Sequence, residues 1–326
     1  MNYPEYTVAI RTLGKSGDKY QKELDSILAQ IVTPRNVFVY LPEGYSIPKE
    51  TIGIEKVIKC KEGMVAQRSL SFDEIDTEYI LFLDDDVYLP PNGVKALFDG
   101  VLQNDGDCIS PDVFPNHRWP IMKKIRKAIG GTFPRCDDGW AMKILPNGQY
   151  SYNNSPHKDV LPTQSLAGPC ILIKKEVFKK IHFEDERWMD KFRYALGEDM
   201  AFAYKLYNQG YNVLIHYNSG IIHLDTGSSM IGYDMLKMNV KCNKIEFIDW
   251  YRMVFDLKKN SCAEKILCVL AYSITQMFNF FIFTIKCLKV RNFRQLIEYI
   301  KSILWAYKYV HSEEYKSIPR FDTNFK

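Results

Sequence analysis

The chain has 326 residues, of which 46% are hydrophobic and 25% are charged, and its net charge is +4. This composition is typical of a globular protein and excludes an intrinsically disordered chain. The 8 cysteines are scattered without a CxxC pair, which argues against a zinc site and against a disulfide framework. The length allows one large domain and an appendage.

Charge is unevenly distributed along the chain. Residues 226–326 contain 16 Lys and Arg against 9 Asp and Glu, whereas residues 1–225 contain 27 against 30. A slightly acidic first part and a basic second part predict two regions with different partners. We therefore expect one domain over residues 1–225 and a basic extension over residues 226–326.

Strand-like and helix-like patterns alternate along the first part of the chain. The strand predictions are 7–11, 36–41, 55–60, 79–83 and 107–111, and the helix predictions are 18–30, 63–75 and 93–104. This alternation predicts an α/β fold with a mostly parallel sheet and helices on both faces. Ligands of such sheets bind in the crevice beyond the carboxyl ends of the strands.

The pattern is irregular over residues 113–164, where Pro, Gly, Asn and aromatic residues are mixed. Long irregular stretches inside a domain are usually lids or binding loops, or are disordered. A strand and a short helix are predicted within 165–181. A further helix is expected to begin at Glu198 and to end at Gly210, before strands at 212–216 and 220–224.

Three adjacent carboxylates, Asp84, Asp85 and Asp86, directly follow the apolar run that ends at Leu83. Like charges so close together raise each other's pKa, so they need compensation, either from water in a turn or from a bound cation. Carboxylate oxygens suit Mg²⁺ or Mn²⁺, which are often shared with substrate phosphates. Asp84 and Asp86 also match the D-x-D part of the D-x-D-x-V pattern of dehalogenase-type phosphatases, although Val87 comes one position earlier than the valine of that pattern. That motif is expected on the first strand of its fold, whereas several strand–helix units precede it here.

A second acidic pair, Glu198 and Asp199, falls in the first turn of a predicted helix. Negative charge is favoured there because the first backbone N–H groups of a helix are unpaired. The pair could therefore simply stabilise the helix start, or it could supply a catalytic carboxylate.

Four stretches in this order resemble a bacterial family 2 glycosyltransferase with the GT-A fold, a Rossmann-like α/β fold. They are KEGMVAQRS, EYILFLDDDVYLPPNGV, AGPCILIKKEVF and GEDMAFAYKLYNQGYNV. The resemblance covers roughly residues 5–225 and rests on the order and spacing of the motifs, because a lone D-D-D would be weak. It implies a hexosyl-type transferase that takes a sugar from a nucleotide-diphosphate donor and transfers it, with inversion, to an acceptor hydroxyl.

The resemblance also implies roles for single residues. Asp86 and His223 would hold the Mn²⁺ or Mg²⁺ that bridges the donor diphosphate, although His223 could also be an ordinary strand-end histidine. Asp199 would be the catalytic base, with Glu198 beside it. The remaining donor-site residues would be Asp84 and Asp85 near the ribose and the sugar, Arg68 in the donor site, and Thr12 at the edge of the nucleotide pocket.

The chain departs from the family pattern after its second predicted strand. The family commonly has an acidic residue in a D-D-G-S-like turn there, which holds the base of the nucleotide. This chain has VYLPEGYS, so Glu43 is the candidate substitute. A non-catalytic nucleotide-sugar-binding subunit with the same fold is therefore the alternative function.

Two segments of the basic extension predict its partner. Residues 266–285 carry no charge and are about long enough for a membrane span, but a polar stripe of Ser273, Gln276 and Asn279 favours a buried or interfacial helix over a span. Residues 293–310 have the pattern of a basic amphipathic helix. Such helices fit an anionic membrane surface, but they could also pack against the main domain or form a homodimer interface. We expect a cytoplasmic protein, peripheral on the inner face of the cell membrane, which acts on a glycan or lipid-linked acceptor in surface polysaccharide biosynthesis. No nucleic-acid partner is expected.

Overall fold

The computed structural model describes residues 3–113, 139–153, 155–192, 197–224, 234–258 and 260–322. The strands are β1 (Tyr6–Arg11), β2 (Asn36–Pro42), β3 (Lys56–Cys60), β4 (Tyr79–Asp84), β5 (Val87–Tyr88), β6 (Cys108–Pro111), β7 (Val160–Pro162), β8 (Cys170–Lys174), β9 (Val213–His216) and β10 (Ile222–His223). The five strands predicted before Pro111 are confirmed to within two residues.

The helices are α1 (Asp18–Leu28), α2 (Met64–Arg68), α3 (Gly93–Gln103), α4 (Lys175–Lys180), α5 (Glu198–Asn208), α6 (Met235–Trp250), α7 (Cys262–Lys289), α8 (Arg294–Val310) and α9 (Glu313–Lys316). A 3₁₀-helical segment covers Phe183–Lys191, and a π-helical turn, Tyr251–Phe255, continues α6. The α/β pattern predicted from the sequence is confirmed.

An eight-stranded sheet, in the order β3-β2-β1-β4-β8-β6-β9-β7, forms the centre of the described structure. The strands β3, β2, β1 and β4 are parallel to one another, as are β6 and β9. The strand β8 lies antiparallel between β4 and β6, and β7 is an antiparallel edge strand. The carboxyl ends of β1, β2 and β4 therefore meet at one edge.

The central strands of the sheet are buried on both faces because they are apolar at nearly every position. In β4, Leu81 and Leu83 face the core made with α1 and α3. The alternate residues, Ile80 and Phe82, face a second core that includes α5 and the helices after residue 234. Burial on both faces explains why β4 reads as a continuous apolar run, as is typical of strands in parallel sheets.

The helix predicted over 63–75 is much shorter in the structure. It ends at Arg68, and Phe72 has a positive φ of 49° that a helix cannot contain. The Phe72 ring is buried against Tyr40 and Phe82, with ring centroids 4.9 and 5.1 Å apart. Tertiary packing of this ring has therefore overridden the local helical pattern.

The strand predicted over 220–224 is confirmed only for two residues, and it does not join the main sheet. Ile222 and His223 pair with Tyr88 and Val87 in a separate antiparallel ribbon, β5–β10. This pairing places His223 directly beside the strand that follows the aspartate triplet.

A buried ion network attaches the basic C-terminal helices to the α/β part. Arg252, which is 3% exposed, donates to both carboxylate oxygens of Glu186 at 2.7 and 2.8 Å, and to the carbonyl of Pro319. Lys205 on α5 lies 3.3 Å from the same carboxylate. Burial alone would raise the pKa of Glu186, but the attraction of Arg252 outweighs it and lowers the pKa to about 2.

The domain boundary proposed between residues 225 and 226 lies outside the described residues.

Replacing Arg252 by Met tests this anchor. Glu186 would keep its charge in a buried site without its bidentate partner, so we expect Arg252→Met to lower the free energy of unfolding by about 3–5 kcal/mol. Urea unfolding followed by circular dichroism measures it. Arg35→Met is the control, because the Arg35–Glu5 pair is half exposed and should contribute less than about 1 kcal/mol. Equal losses in the two variants would contradict a structural role for Arg252.

Candidate active site

The aspartate triplet lies at the end of β4, where the parallel strands β1 and β4 end side by side. The register pairs Arg11, the last residue of β1, with Asp84, the last residue of β4. The Arg11 Nε donates to Asp84 Oδ1, and its Nη2 lies 3.3 Å from Asp84 Oδ2. The first carboxylate of the triplet is therefore compensated by an arginine on the neighbouring strand.

The second acidic pair begins α5 and lies against the same strand ends. Glu198 is 2% exposed and accepts from Arg11 Nη1 at 3.0 Å. Gly197, the residue before it, has a φ of +91°, which only glycine adopts readily. This turn brings α5 onto the strand ends, so that residues 187 positions apart in sequence form one ion pair.

Arg68 joins the two acidic groups. Its side chain is 1% exposed, and its Nη1 donates to Glu198 Oε2 and, at 2.8 Å, to Asp199 Oδ1. Its Nη2 donates to the carbonyl of Gly168 at 2.8 Å and lies 3.9 Å from Asp84 Oδ1. Arg11 and Arg68 thus hold three carboxylates, those of Asp84, Glu198 and Asp199, in one cluster, which we call the arginine–carboxylate cluster.

The short helix α2 positions Arg68 at its last residue. Asp190, from the 3₁₀-helical segment, accepts from the backbone N–H groups of Val65 and Ala66 at 2.9 Å each and so caps the first turn. A Cβ on Gly63 would lie 2.6 Å from the Asp190 carboxylate, so only glycine fits before α2. A helix of five residues is marginal alone, and these tertiary contacts stabilise it.

The environment separates the pKa values of the two carboxyls of α5. Burial raises the pKa of Glu198 to about 7, against the attraction of Arg68. Burial would also raise the pKa of Asp199, but the attraction of Arg68 and Arg11 outweighs it and lowers the pKa. Asp199 is therefore the carboxyl of the pair that is ionised at neutral pH, as a general base must be.

The carboxylate of Asp199 lies so close to the backbone of Gly168 that only glycine fits at that position. Its Oδ1 would lie 1.9 Å from a Cβ on Gly168, in the turn that precedes β8. The small residue in the AGP sequence thus leaves room for the carboxylate, and the Gly168 carbonyl at the same time accepts from Arg68. The sequence predicted a small-residue turn here but not its contact with Asp199.

Thr12 and Asp85 lie together beyond β1. The Thr12 hydroxyl donates to Asp85 Oδ2 and accepts from the backbone N–H of Gly14 at 2.7 Å. Burial raises the pKa of Asp85, and the hydrogen bonds from Thr12 and Ser16 oppose it. The structure therefore brings both donor-site candidates together, and it adds Ser16 to them.

Glu43 lies apart from these contacts. It is exposed in the turn after β2, and its backbone N–H donates to the carbonyl of Cys60 at 2.9 Å. The same turn borders the loop after β1, since a Cβ on Gly14 would lie 2.9 Å from the Ser46 carbonyl oxygen. The turn that contains Glu43 is thus next to the Thr12 loop.

Asp86 and His223 form a pair of metal-ligand type. His223 Nε2 lies 3.0 Å from Asp86 Oδ1, and the backbone N–H of Leu224 donates to the Asp86 carbonyl at 2.8 Å. An imidazole and a carboxylate suit Mn²⁺, which can take its remaining ligands from phosphate and water. Within the described residues, no group of three or more His, Cys, Asp or Glu gathers into a metal site.

Besides Ser16 and Asp190, the sequence predictions missed Arg11 and Glu23 in this region. Arg11 could have been found as the charged end of an apolar strand. Glu23 had no such signal, because it lies in the middle of α1. It is fully buried, and its Oε2 accepts from the backbone N–H of Val87 at 2.9 Å. Burial raises its pKa well above the ordinary value, and the charge of Asp85 adds to the shift.

Comparisons with known proteins give one curated relative and several structures. The glycosyltransferase GlyG of Streptococcus pneumoniae serotype 4 is 23% identical over 268 residues, covering 79% of this chain and 72% of that protein. No family model matches. Since the identity is low, this relative alone does not establish a family.

Two similar structures with TM-scores above 0.5 establish the fold. The mannosyltransferase PcManGT from Pyrobaculum calidifontis, in complex with GDP-Man and Mn²⁺, has a TM-score of 0.51 and 13% identity, covering 94% of this chain and 88% of that one. TarS 1-349 from S. aureus also has a TM-score of 0.51, with 12% identity, covering 92% and 81%. GalNAc-T7 with UDP, GalNAc and Mn²⁺ is also similar, with 14% identity and a TM-score of 0.48. The match covers 83% of this chain, but this chain spans only 55% of that one. The chain has the GT-A glycosyltransferase fold.

The raised pKa of Glu198 predicts a pH dependence of stability. An unfolded glutamate titrates near its ordinary value of 4.5, and folded Glu198 near 7. Between these values the folded state holds the extra proton, so this contribution to stability is complete below 4.5 and is lost as the pH rises through about 7. Glu198→Gln removes it, and the slope of unfolding free energy against pH in that range should become less negative by up to about 1.4 kcal/mol per pH unit.

Urea unfolding at several pH values between these limits measures the slope. Glu176→Gln, at an exposed position on α4, is the matched control and should keep the wild-type slope. If Glu198→Gln and wild type give parallel curves, Glu198 does not carry the extra proton.

Proposed function

We propose that the protein is a metal-dependent inverting family 2 glycosyltransferase that moves a sugar from a nucleotide-diphosphate donor to a hydroxyl of a glycan or glycolipid. The observation that carries the proposal is the arginine–carboxylate cluster. It joins the aspartate triplet to Asp199 at the carboxyl edge of parallel strands, where α/β sheets bind ligands. The GT-A fold and the low-identity match to GlyG support it.

In this proposal, the donor lies along the strand ends. Thr12 and Asp85 would contact the nucleoside, and the turn of Glu43 would face its base. Asp84 would contact the donor sugar. Asp86 and His223 would hold Mn²⁺ or Mg²⁺, which supplies positive charge to neutralise the leaving diphosphate.

Asp199 would act as the base on the acceptor side. Its carboxylate accepts the proton of the acceptor hydroxyl while the hydroxyl oxygen bonds to the anomeric carbon of the donor sugar. The bond from that carbon to the diphosphate oxygen breaks, and its electron pair leaves with the nucleoside diphosphate. Attack opposite the leaving group inverts the anomeric configuration, and Asp199 then releases the proton to water. The lowered pKa of Asp199 keeps it ionised for this step.

The two arginines would orient this base rather than react. Arg68 is almost fully buried and contacts Asp199, Glu198 and the Gly168 carbonyl at once, which fixes the direction of the Asp199 carboxylate. Arg11 compensates Asp84 and Glu198, so the donor would meet a cluster with much of its negative charge already balanced. Such preorganisation avoids reorganising charge during the reaction.

Asp199→Asn is the most direct test. The amide cannot accept the proton, so transfer should fall by about 10²–10⁴-fold, the usual contribution of a general base, while donor binding remains. A panel of nucleotide sugars with Mn²⁺ and a mixed pool of glycan and glycolipid acceptors, read by release of nucleoside diphosphate, measures it.

Asp73→Asn is the matched control for that experiment. Asp73 is an exposed aspartate paired with Lys179 on the surface, and its replacement should leave transfer unchanged. If no donor is turned over, or if Asp199→Asn equals wild type, the proposal fails. Tight nucleotide binding without turnover would instead favour a non-catalytic binding subunit.

A second test concerns the metal pair. Asp86→Asn and His223→Ala each remove a ligand, so the Mn²⁺ concentration that gives half of the nucleotide-dependent rise in Tm should increase by about tenfold or more. Thermal unfolding in the presence of a nucleoside diphosphate and increasing Mn²⁺ measures it. An unchanged Mn²⁺ requirement in both variants would place the cation elsewhere.

A further inference from the structure

The helical hairpin α7–α8 is apolar on its outward side as well as on its inward side. A stripe of apolar side chains at helical spacing faces outward along α7, and every member is more than one-third exposed: Ile266, Leu270, Ile274, Met277, Phe281 and Ile285. On α8, Ile297, Ile300 and Leu304 are exposed by about half in the same way. We call these nine side chains the outer face. Water-soluble helices normally turn such stripes toward the core, so the outer face is the unusual side of this hairpin.

The inward side of the hairpin carries apolar residues, such as Phe283 and Cys287, together with polar residues that have hydrogen-bond partners inside the protein. On α7, Thr275 accepts from Asn147 at 3.0 Å, and Gln276 accepts from the Tyr299 hydroxyl of α8 at 3.1 Å. On α8, Ser302 is 1% exposed and accepts from Asn243 of α6 at 2.9 Å. The hairpin therefore satisfies its polar side chains internally and leaves the apolar side chains of the outer face uncovered, which is the arrangement that a lipid environment favours.

Basic side chains accompany the outer face. Residues 262–310 contain 7 Lys and Arg against 2 Glu. Four of the cations are exposed around the turn of the hairpin: Lys286, Lys289, Arg291 and Arg294. Of the two glutamates, Glu264 belongs to the capping box that starts α7, and Glu298 is paired with Lys301 at 3.1 Å. The net field of the hairpin is therefore positive and suits a surface of anionic head groups.

We propose that the outer face of α7–α8 docks on an anionic lipid bilayer, with its apolar side chains at the level of the head groups and upper acyl chains. A second copy of the chain fits less well, because a two-fold interface would place each positive hairpin against itself. By length and composition, α7 could cross a membrane. However, spanning would carry the Glu298–Lys301 pair of the adjoining α8 into hydrocarbon, which is costly.

This surface connects to the candidate active site through one loop. Asn147 is bonded to Thr275 of α7, and Trp250 Nε1 donates to the Pro146 carbonyl at 2.9 Å. Tyr150, on the same loop, is close enough to Asp199 for that charge to act on its hydroxyl. This step rests on the proposed function. The arrangement would hold the acceptor side of Asp199 near the membrane, and it would therefore suit a lipid-linked acceptor.

Vesicle sedimentation of the full chain tests the docking without any need for activity. We expect wild type to bind vesicles containing about one-third phosphatidylglycerol at least about tenfold better than pure phosphatidylcholine vesicles, and less well as salt increases. Met277→Asp/Phe281→Asp changes two outer-face residues that are 73% and 61% exposed and should lower binding at least about tenfold. Circular dichroism melting verifies that the variant folds.

Ile31→Asp/Ile54→Asp is the matched control, since these side chains are 63% and 55% exposed on the α/β part, and it should bind as wild type does. If the outer-face variant does not fold, Lys286→Glu/Lys289→Glu tests the charge instead and should abolish the preference for anionic vesicles. The proposal is overturned if wild type stays in the supernatant or if the outer-face variant binds vesicles as well as wild type does.

Two other results would assign the outer face differently. If wild type does not bind vesicles but forms a dimer in analytical ultracentrifugation, and Met277→Asp/Phe281→Asp dissociates that dimer, the outer face binds a second copy. Bound protein that neither salt nor alkaline carbonate releases would indicate spanning.

Discussion

The candidate active site depends on one electrostatic constraint, the compensation of buried carboxylates by Arg11 and Arg68. Glu198 and Arg68 are almost completely buried, and an unpaired charge in such a place would be strongly destabilising. Each arginine contacts Asp84 of the aspartate triplet and also Glu198 of the second acidic pair. The end of β4 and the start of α5 therefore cannot separate without exposing an uncompensated charge. Burial raises the pKa of Glu198 in spite of Arg68, whereas at Asp199 the attraction of the two arginines outweighs burial and lowers the pKa, which keeps Asp199 ionised, as the proposed base must be.

Much of the remaining structure serves to hold that cluster in place. Asp190 caps the short helix that ends in Arg68, and Gly168 leaves space for the carboxylate of Asp199. Glu23 supports the other side, because it accepts from the backbone of Val87, next to Asp86. These residues are far apart in sequence, and none of them would attract attention alone. Their importance follows from the distances that they impose on the reactive groups.

The C-terminal helices have two different surfaces, and each has its own physical explanation. Inward, Arg252 enters the core and pairs with Glu186, while Asn147 and Trp250 tie the loop near Asp199 to the helices. Outward, the hairpin presents apolar stripes beside basic residues. A helix that satisfies its polar groups inside and exposes its apolar ones minimises its free energy only when something other than water covers it. The hairpin is therefore anchored to the α/β part on one side, and on the other side it presents the outer face that we propose as a docking surface.

The sequence by itself determined the α/β class, most strand positions and the chemical identity of the candidate residues, because these depend on local periodicity and on which side chains can hold a cation or a proton. It did not determine that α2 stops at Arg68, since the burial of the Phe72 ring decides this. Nor could it find Arg11 or Glu23 as members of the site, or the outward direction of the α7 stripe. Those features depend on which residues meet across the fold, as in the contact between Arg11 and Glu198, 187 residues apart. Only the tertiary structure decides such contacts, because burial and charge pairing act between neighbours in space.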